Sequence, residues 1–257
     1  MGIVNLTPDS FSGDGLLGDV DRAIEHARLQ FEAGSDILDI GAESSRPGAT
    51  PASEGEELRR LIPLLREVST WGIPVSVDTY KPAVMRAALA AGASMINDIT
   101  GMADPEALSA VASSDCAVCV MHMQGSPGTM QQAPHYDDVV AEVQAFLSLA
   151  VLRCRRAGIG SGRVVLDPGF GFGKTLAHNL AIFRQLTAVS CDGLPVLVGV
   201  SRKSMLGAIT ARPVEERLAA SVSAALLAAQ KGAKILRVHD VAATKDVLSV
   251  WAAVDRG

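Results

Sequence analysis

Apolar, β-rich runs recur eight times along the chain, and each stops at a residue able to bind or react. Ile3-Val4 runs into Asn5, and Ile37-Leu38 into Asp39. Val75–Val77 ends at Asp78, Met95-Ile96 at Asn97, and Val118–Met121 at His122. Val164–Leu166 ends at Asp167, Val196–Val198 leads to Ser201, Arg202 and Lys203, and Ile235-Leu236 meets Arg237, Val238 and His239. Between these runs the period becomes helical. Val20, Ile24, Ala27 and Phe31 lie one helical turn apart, with Asp19 or Asp21 available as a cap. Ser53 and Glu56 have the spacing of a capping box, ahead of a stripe of Leu58, Leu61, Ile62, Leu65 and Val68. Further helices are predicted at about 81–91, 104–113, 137–157, 176–187, 213–231 and 242–254.

Strand–helix alternation throughout implies parallel pairing and right-handed crossovers. Runs that are apolar on successive residues, such as Val164–Leu166, suit strands covered on both faces. One polar residue at the C-terminal end of each strand is how a (β/α)8 TIM barrel builds an active site. The predicted class is therefore α/β, with 1–257 as a single barrel domain; a doubly wound open sheet is the alternative. Two loops rich in Gly, Ser and Pro, at 7–18 and 42–51, would overhang the barrel mouth as lids.

Composition narrows the function. The 257 residues are 48% hydrophobic but only 4% aromatic, so the core is built from Val, Leu, Ile and Ala. A net charge of −5 argues against a nucleic-acid or anionic-membrane surface. No signal peptide, basic transit segment or membrane-length apolar run is visible, which reads as cytoplasmic. Cys116, Cys119, Cys154 and Cys191 are too few and too scattered for a disulfide framework. Cys116 and Cys119 have C-x-x-C spacing, but on a buried strand their thiols would point to opposite faces.

Strand parity sharpens the polar set. Ile235, Arg237 and His239 share one face, so if Leu236 and Val238 meet the helices, Arg237 and His239 point into the barrel top. Ser76 lies with Asp78, Val165 with Asp167, and Ile3 with Asn5. Two carboxylates, two carboxamides, a lysine and an arginine then converge. They need either mutual pairing, Asp167 with Lys203 and Asp78 with Arg237, or a polar ligand. The segment from Asp167 to Lys174 (DPGFGFGK) does not fit a phosphate loop, since the first glycine would fall on Pro168. Its glycines could let backbone pass close to a flat ligand, with Phe170 or Phe172 stacking, or could form a mobile turn. Ser201–Ser204 ends the seventh strand at the usual anion-binding corner, and Arg46, Arg237 and His239 could join it in a positive rim; scattered surface bases are the alternative. His122 lacks a partner at metal-ligand spacing and reads as a pocket wall or a hydrogen-bonded core histidine.

With these residues in place, the chain resembles the dihydropteroate synthases of the pterin-binding barrel family. The matching blocks are GIVNLTPDSFS (Gly2–Ser12), GAESSRPG (Gly41–Gly48), SVDT (Ser76–Thr79), INDI (Ile96–Ile99), MHMQG (Met121–Gly125), Asp167–Lys174, GVSRKS (Gly199–Ser204) and RVHDV (Arg237–Val241). They occur in order and span nearly the whole chain. The resemblance implies that 4-aminobenzoate displaces diphosphate from (7,8-dihydropterin-6-yl)methyl diphosphate to give 7,8-dihydropteroate. It implies Asp78, Asn97 and Asp167 on the donor edge of the pterin, Lys203 on its carbonyl side, and Arg237 against the ring, with Asp78, Lys203 and Arg237 as the catalytic set. Met121 and Phe172 would line the pterin pocket, Arg46 and His239 the diphosphate pocket, and Ser204 would bind the 4-aminobenzoate carboxylate. Asn5 would help to hold Mg²⁺ on the diphosphate. Sulfonamide inhibition and a homodimer are implied too.

The chain departs from the family pattern at a few points. It starts almost directly on the first strand, reads Ser12-Gly-Asp-Gly15 in the first loop, and carries Ala42, Ser45 and Tyr80 where Gly, Thr and a small residue are commoner. Asp14 is thereby a weaker candidate. Two other readings share the barrel: a pterin-binding methyltransferase, and a catalytically idle pterin-binding homologue. Ser201–Ser204, Arg46 and the first loop favour the synthase over the former. Retention of Lys203, Arg237, Asn5 and Arg46 together favours it over the latter.

Overall fold

The computed structural model describes residues 1–6, 20–44 and 51–255. The loop expected at 7–18, positions 45–50 of the second loop, and with them Asp14, Asp19, Ser45 and Arg46, lie outside the described residues. Eight parallel strands are present: β1 (Gly2–Asn5), β2 (Leu38–Gly41), β3 (Val75–Asp78), β4 (Met95–Asp98), β5 (Ala117–Met121), β6 (Val164–Asp167), β7 (Leu197–Val198) and β8 (Ile235–Leu236). β1 to β6 pair in chain order, and β7 pairs with β8. Two seams join them into a ring. Leu166 bridges Val196 and its N–H donates to the Pro195 carbonyl at 2.9 Å. Val238 bridges Gly2, donates to the Met1 carbonyl and accepts from the Ile3 N–H, both at 3.0 Å. The sheet is therefore a closed barrel rather than an open one.

Alternation along the strands creates two cores. Met1, Met95, Cys119, Val165 and Leu197, with Ile37, Ala117 and Ile235 against them, fill the barrel interior. Their neighbours in sequence, such as Leu38, Ile96, Val118, Val120, Val164, Leu166 and Val198, face outward to the helices. Each fully buried Val, Leu or Ile contributes roughly 1.5–3 kcal/mol, so reversing the parity of any strand would be costly. The inner core is apolar only up to this layer. The next inward positions toward the C-terminal ends are Asn5, Gly41, Asp78, Asn97 and Asp167.

The helices are α1 (Val20–Glu32), α2 (Glu54–Val68), α3 (Pro82–Ala90), α4 (Pro105–Ala112), α5 (Val139–Arg156), α6 (Leu176–Arg184), α7 (Ser204–Thr210), α8 (Leu218–Gln230) and α9 (Val241–Asp255). On α1 the buried face is Ala23, Ala27 and Gln30, while Val20 and Phe31, expected in the stripe, are exposed. Small side chains bring this helix close to the sheet, and Gln30 is buried because its amide donates to the His239 carbonyl at 3.1 Å. The Ser53 hydroxyl caps α2 by accepting from the Glu56 N–H, but the Glu56 carboxylate turns to Arg59 and Arg60 instead of closing the box. The reciprocal capping box sits on α6, between Thr175 and His178. The helix expected at 213–231 starts later, after a short turn over Val214–Glu216, and the separate α7 precedes it. No helix among the described residues is long and apolar enough to cross a membrane.

The C-x-x-C pair divides as parity requires, with Cys116 in the outer core and Cys119 in the inner one. Cys116, Cys119 and Cys154 are buried and Cys191 is half-buried, all as free thiols. Burial holds the Cys119 thiol well above its usual range and pushes Cys154 up to about 11. An aromatic disulfide reagent should therefore react quickly with Cys191 alone in the native protein, and with all four cysteines after denaturation. Two fast native thiols, or a stability that falls when chelator is added, would show that Cys116 and Cys119 form a reactive or metal-bound pair.

Candidate active site

One guanidinium organises the barrel mouth. Arg237 follows β8 with its side chain inward, donating from Nε to Asp39 Oδ2 at 2.6 Å and from Nη2 to Asp78 Oδ2 at 2.9 Å. Asp39 is on β2 and Asp78 at the end of β3, so one side chain ties three strands across the interior. The expected Asp78–Arg237 pair is present, but it is shared. Asp39 is wholly buried, in register with Ser76, one inward position below Gly41. It was assigned no role from sequence because its apolar run appears to end there, whereas β2 continues to Gly41. Burial pushes the Asp78 carboxyl up to about 7, with Arg237 opposing and Asp39 reinforcing the rise. Burial also works against the Arg237 charge, but Asp39 and Asp78 outweigh it, so the guanidinium stays charged.

Beside this triad lies unsatisfied hydrogen-bonding capacity. Asn97 is the register partner of Asp78, and its Oδ1 is buried without a partner among the described residues, as are Asp39 Oδ1 and Ser76 Oγ. Buried acceptors without donors cost free energy unless water or ligand supplies them. Asp167, across the mouth, uses Oδ1 to accept from the Gly169 N–H at 2.7 Å. Burial raises its carboxyl above the usual carboxylate range, with Lys203 and the Gly169 N–H pulling the other way. Burial lowers the Lys203 ammonium to about 8 against the attraction of Asp167. Of the two pairs that mutual satisfaction would require, the direct Asp167–Lys203 ion pair does not form. Lys203 Nζ donates to the Phe170 carbonyl and lies 4.6 Å from the centre of the Phe172 ring. Met121, in register with Asp167 at the end of β5, is buried beside it.

Two of the glycines after β6 serve a close backbone contact. Gly169 and Gly173 have φ of +67° and +60°, and a Cβ would fall 1.9 Å from the His122 carbonyl oxygen and 2.7 Å from that of Gln124. They let the β6 loop lie directly on the β5 loop. Phe170 is buried against Phe183, which removes it as a stacking residue, whereas Phe172 remains partly exposed at the mouth. Lys174 turns inward instead of toward an anion, and its ammonium lies 2.8 Å from His122 Nδ1. His122 is thus a hydrogen-bonded buried histidine.

The seventh strand leads to a corner of mixed use. Arg202, at φ +59°, is drawn to Asp240, with contacts of 2.5 and 3.1 Å. Lys203 turns into the barrel, and Ser204 is exposed as the first residue of α7. The Ser201 hydroxyl lies 3.0 Å from His239 Nδ1, bringing His239 to the same rim. On β1, next to the β8 segment, Asn5 is half-buried, with its Oδ1 beside Gly41 on β2. Lys81 binds Glu43, Glu57 and the Ala52 carbonyl, and the Tyr80 hydroxyl donates to Glu43 at 2.7 Å. Tyr80 therefore pairs with the stem of the second loop. Among the described residues no group of three or more His, Cys, Asp or Glu side chains could hold a metal ion.

A sequence profile for pterin binding enzymes matches residues 1–239. The chain is 47% identical over 254 residues to the dihydropteroate synthase of Escherichia coli strain K12, covering 98% of this chain and 90% of that protein. It is 49% identical to Burkholderia cenocepacia dihydropteroate synthase solved with 7,8-dihydropteroate, with a TM-score of 0.91, covering 100% of this chain and 91% of that one. With the Xanthomonas albilineans enzyme solved with 4-aminobenzoic acid, identity is 52% and the TM-score 0.92, covering 99% and 92% of the two chains.

Replacing Arg237 with Met should strand two carboxylates, at a cost of roughly 3–5 kcal/mol, visible as a lower Tm of the ligand-free protein at pH 8. Asp39→Asn in the same chain should recover part of the loss. Without the opposing cation, the Asp78 carboxyl, already raised by burial, rises further above its unfolded value. The native state then binds more protons, and the variant loses stability as pH increases through that raised value. A variant as stable as the parent at pH 8 would contradict the shared-pair account.

Proposed function

The chain belongs to the pterin-binding enzyme family, and from that premise we propose that it acts as a dihydropteroate synthase, a transferase of folate biosynthesis. The observation that carries this reading is the convergence of Asp78, Asp167 and the unpartnered Asn97 Oδ1 with Lys203 and Arg237 at one barrel mouth. A pterin offers a row of N–H donors on its 2-aminopyrimidinone edge, which ionised carboxylates and an amide oxygen accept. In this reading Asp78, Asn97 and Asp167 take that edge and the Lys203 ammonium takes the ring carbonyl. Arg237 packs against the ring, while Met121 and Phe172 exclude water around it.

The bond that breaks joins the methylene carbon to the diphosphate oxygen, and its electron pair leaves with diphosphate. Positive charge then spreads through the pterin, and Asp78 stabilises it electrostatically. The amine nitrogen of 4-aminobenzoate forms the new C–N bond and releases a proton. Ser204, at the start of α7, binds the aminobenzoate carboxylate, and sulfonamides inhibit as mimics of it. Arg46 and His239 hold the diphosphate. Mg²⁺ fits the residues present: it prefers oxygen ligands and rides on substrate phosphates. The Asn5 carboxamide would hold it there, where it would neutralise the charge of the leaving diphosphate. The proposal extends to a cytoplasmic homodimer formed through the apolar outer face of α8 and α9, where Leu218, Leu227, Val250 and Val254 are exposed. Leu227→Glu with Val250→Glu should then halve the mass seen by sedimentation; a parent chain that sediments as a monomer would reject the dimer.

Incubation with the pterin diphosphate, Mg²⁺ and 4-aminobenzoate should yield diphosphate and dihydropteroate in equal amounts. Pterin binding without turnover would instead support the idle homologue, and methyl transfer from a methylated pterin the methyltransferase. Asp78→Asn should weaken pterin binding about 10- to 150-fold, the loss of roughly 1.5–3 kcal/mol for a hydrogen bond to a charged group. It should also slow diphosphate release in the bound complex. Because the Asp78 carboxyl sits at about 7, pterin affinity of the parent should fall as pH drops below that value, and the variant should lose this dependence. A variant that binds weakly yet releases diphosphate at the parental rate would remove Asp78 from the chemistry.

A further inference from the structure

Lys174 is the last residue before the Thr175 cap of α6 and is nearly fully buried, 3% exposed. A buried ammonium normally requires a carboxylate, yet no ion pair is made by Lys174 among the described residues. Its three N–H donors end instead on neutral acceptors: His122 Nδ1 at 2.8 Å, the Gly169 carbonyl at 2.9 Å and the Phe172 carbonyl at 3.0 Å. A methionine would fill this space without burying a charge. The ammonium therefore needs an account of its own.

The acceptors supply it. Gly169 is the residue whose N–H holds Asp167 Oδ1 at 2.7 Å, and Phe172 is the residue whose ring lies under the Lys203 ammonium. Gripping both carbonyls fixes the residues Gly169 and Phe172, whose N–H and ring respectively face Asp167 and Lys203. The far end of the grip is rigid. His122 packs edge-on against Phe146 at 4.9 Å and lies 6.0 Å from Tyr136, whose hydroxyl donates to the Gly173 carbonyl at 2.7 Å. Burial lowers the Lys174 ammonium to about 7; in its charged form it has only donors, so His122 Nδ1 then accepts and the hydrogen of the neutral ring sits on Nε2. Burial, with Lys174 beside it, lowers the imidazole to about 3, which keeps the ring an acceptor.

We propose that Lys174, anchored on His122, is a positioning residue that sets Asp167 and Phe172 for the pterin through the backbone of the β6 loop. This rests on the pterin reading of the site. The test compares Lys174→Met, His122→Leu and His122→Asn with the parent, by calorimetric binding of 6-hydroxymethyl-7,8-dihydropterin and by KM and kcat for both substrates. Lys174→Met and His122→Leu should each weaken pterin binding about tenfold or more, leaving KM for 4-aminobenzoate within about twofold. His122→Asn, which can present an amide oxygen near the Nδ1 position, should retain most of the affinity, and the double variant should lose no more than either disruptive single one. Unchanged pterin affinity, or equal losses for both substrates, overturns the proposal. Nitrogen NMR of the parent gives a check independent of variant folding: with Lys174 charged, at about pH 5 to 6, His122 should be the neutral Nε2–H form, and a proton on Nδ1 in that range overturns the clamp. A parent chain that neither binds pterin nor turns over marks failure of the underlying reading, whereas a parent that does both, with variants of equal pterin affinity, marks failure of the clamp alone.

Discussion

A single buried guanidinium shared by two carboxylates is the constraint on which this barrel mouth depends. Arg237 reaches Asp39 and Asp78 from the opposite end of the chain, separated from them by 198 and 159 positions. None of the three charges could be buried alone at acceptable cost. Their mutual contact therefore requires β8 to close onto β1, and β2 and β3 to present alternate residues inward. The pair exists only if the barrel closes in this register, so it links topology to electrostatics.

Above the apolar inner layer of Met95, Cys119, Val165 and Leu197, the inward positions at the C-terminal ends include Asn5, Asp78, Asn97, Asp167 and Arg237, with Met121 among them. Their burial over a low-dielectric floor sets their character. Burial raises Asp78 to about 7 and lowers Lys203 to about 8, so both titrate near physiological pH, and it raises Asp167 as well. Sites of this kind respond to a ligand that supplies hydrogen bonds and charge, because ligand contacts replace the missing solvation. The unpartnered Asn97 Oδ1 and Asp39 Oδ1 express the same incompleteness in neutral and charged form.

Much of this was legible in the residues. The two-residue period of Ile235, Arg237 and His239 pointed Arg237 inward, and alternation separated Cys116 from Cys119. What escaped the sequence depends on where strands and loops meet. Asp39 looked terminal because a short apolar run stops there, while the sheet continues through Gly41, which carries no side chain to mark the strand. The glycines after Asp167 advertised close approach, but only the fold specifies that the approaching partner is the backbone of His122 and Gln124. The inward turn of Lys174 was hidden for the same reason, since its acceptors are mostly main-chain carbonyls, to which no side-chain pattern corresponds. The direct Asp167–Lys203 pair was a reasonable inference from charge alone, and it gives way to the Phe170 carbonyl because the β6 loop reaches Lys203 first.

The central claim is that Asp78, held between burial and Arg237, completes its ionisation when a pterin supplies hydrogen-bond donors. Calorimetric titration with 6-hydroxymethyl-7,8-dihydropterin, which lacks the diphosphate, tests it most directly when run near pH 7 in buffers of different ionisation enthalpy. The account predicts net proton release on binding to the parent chain and much less from Asp78→Asn. Binding with no proton exchange, or with proton uptake, would contradict it.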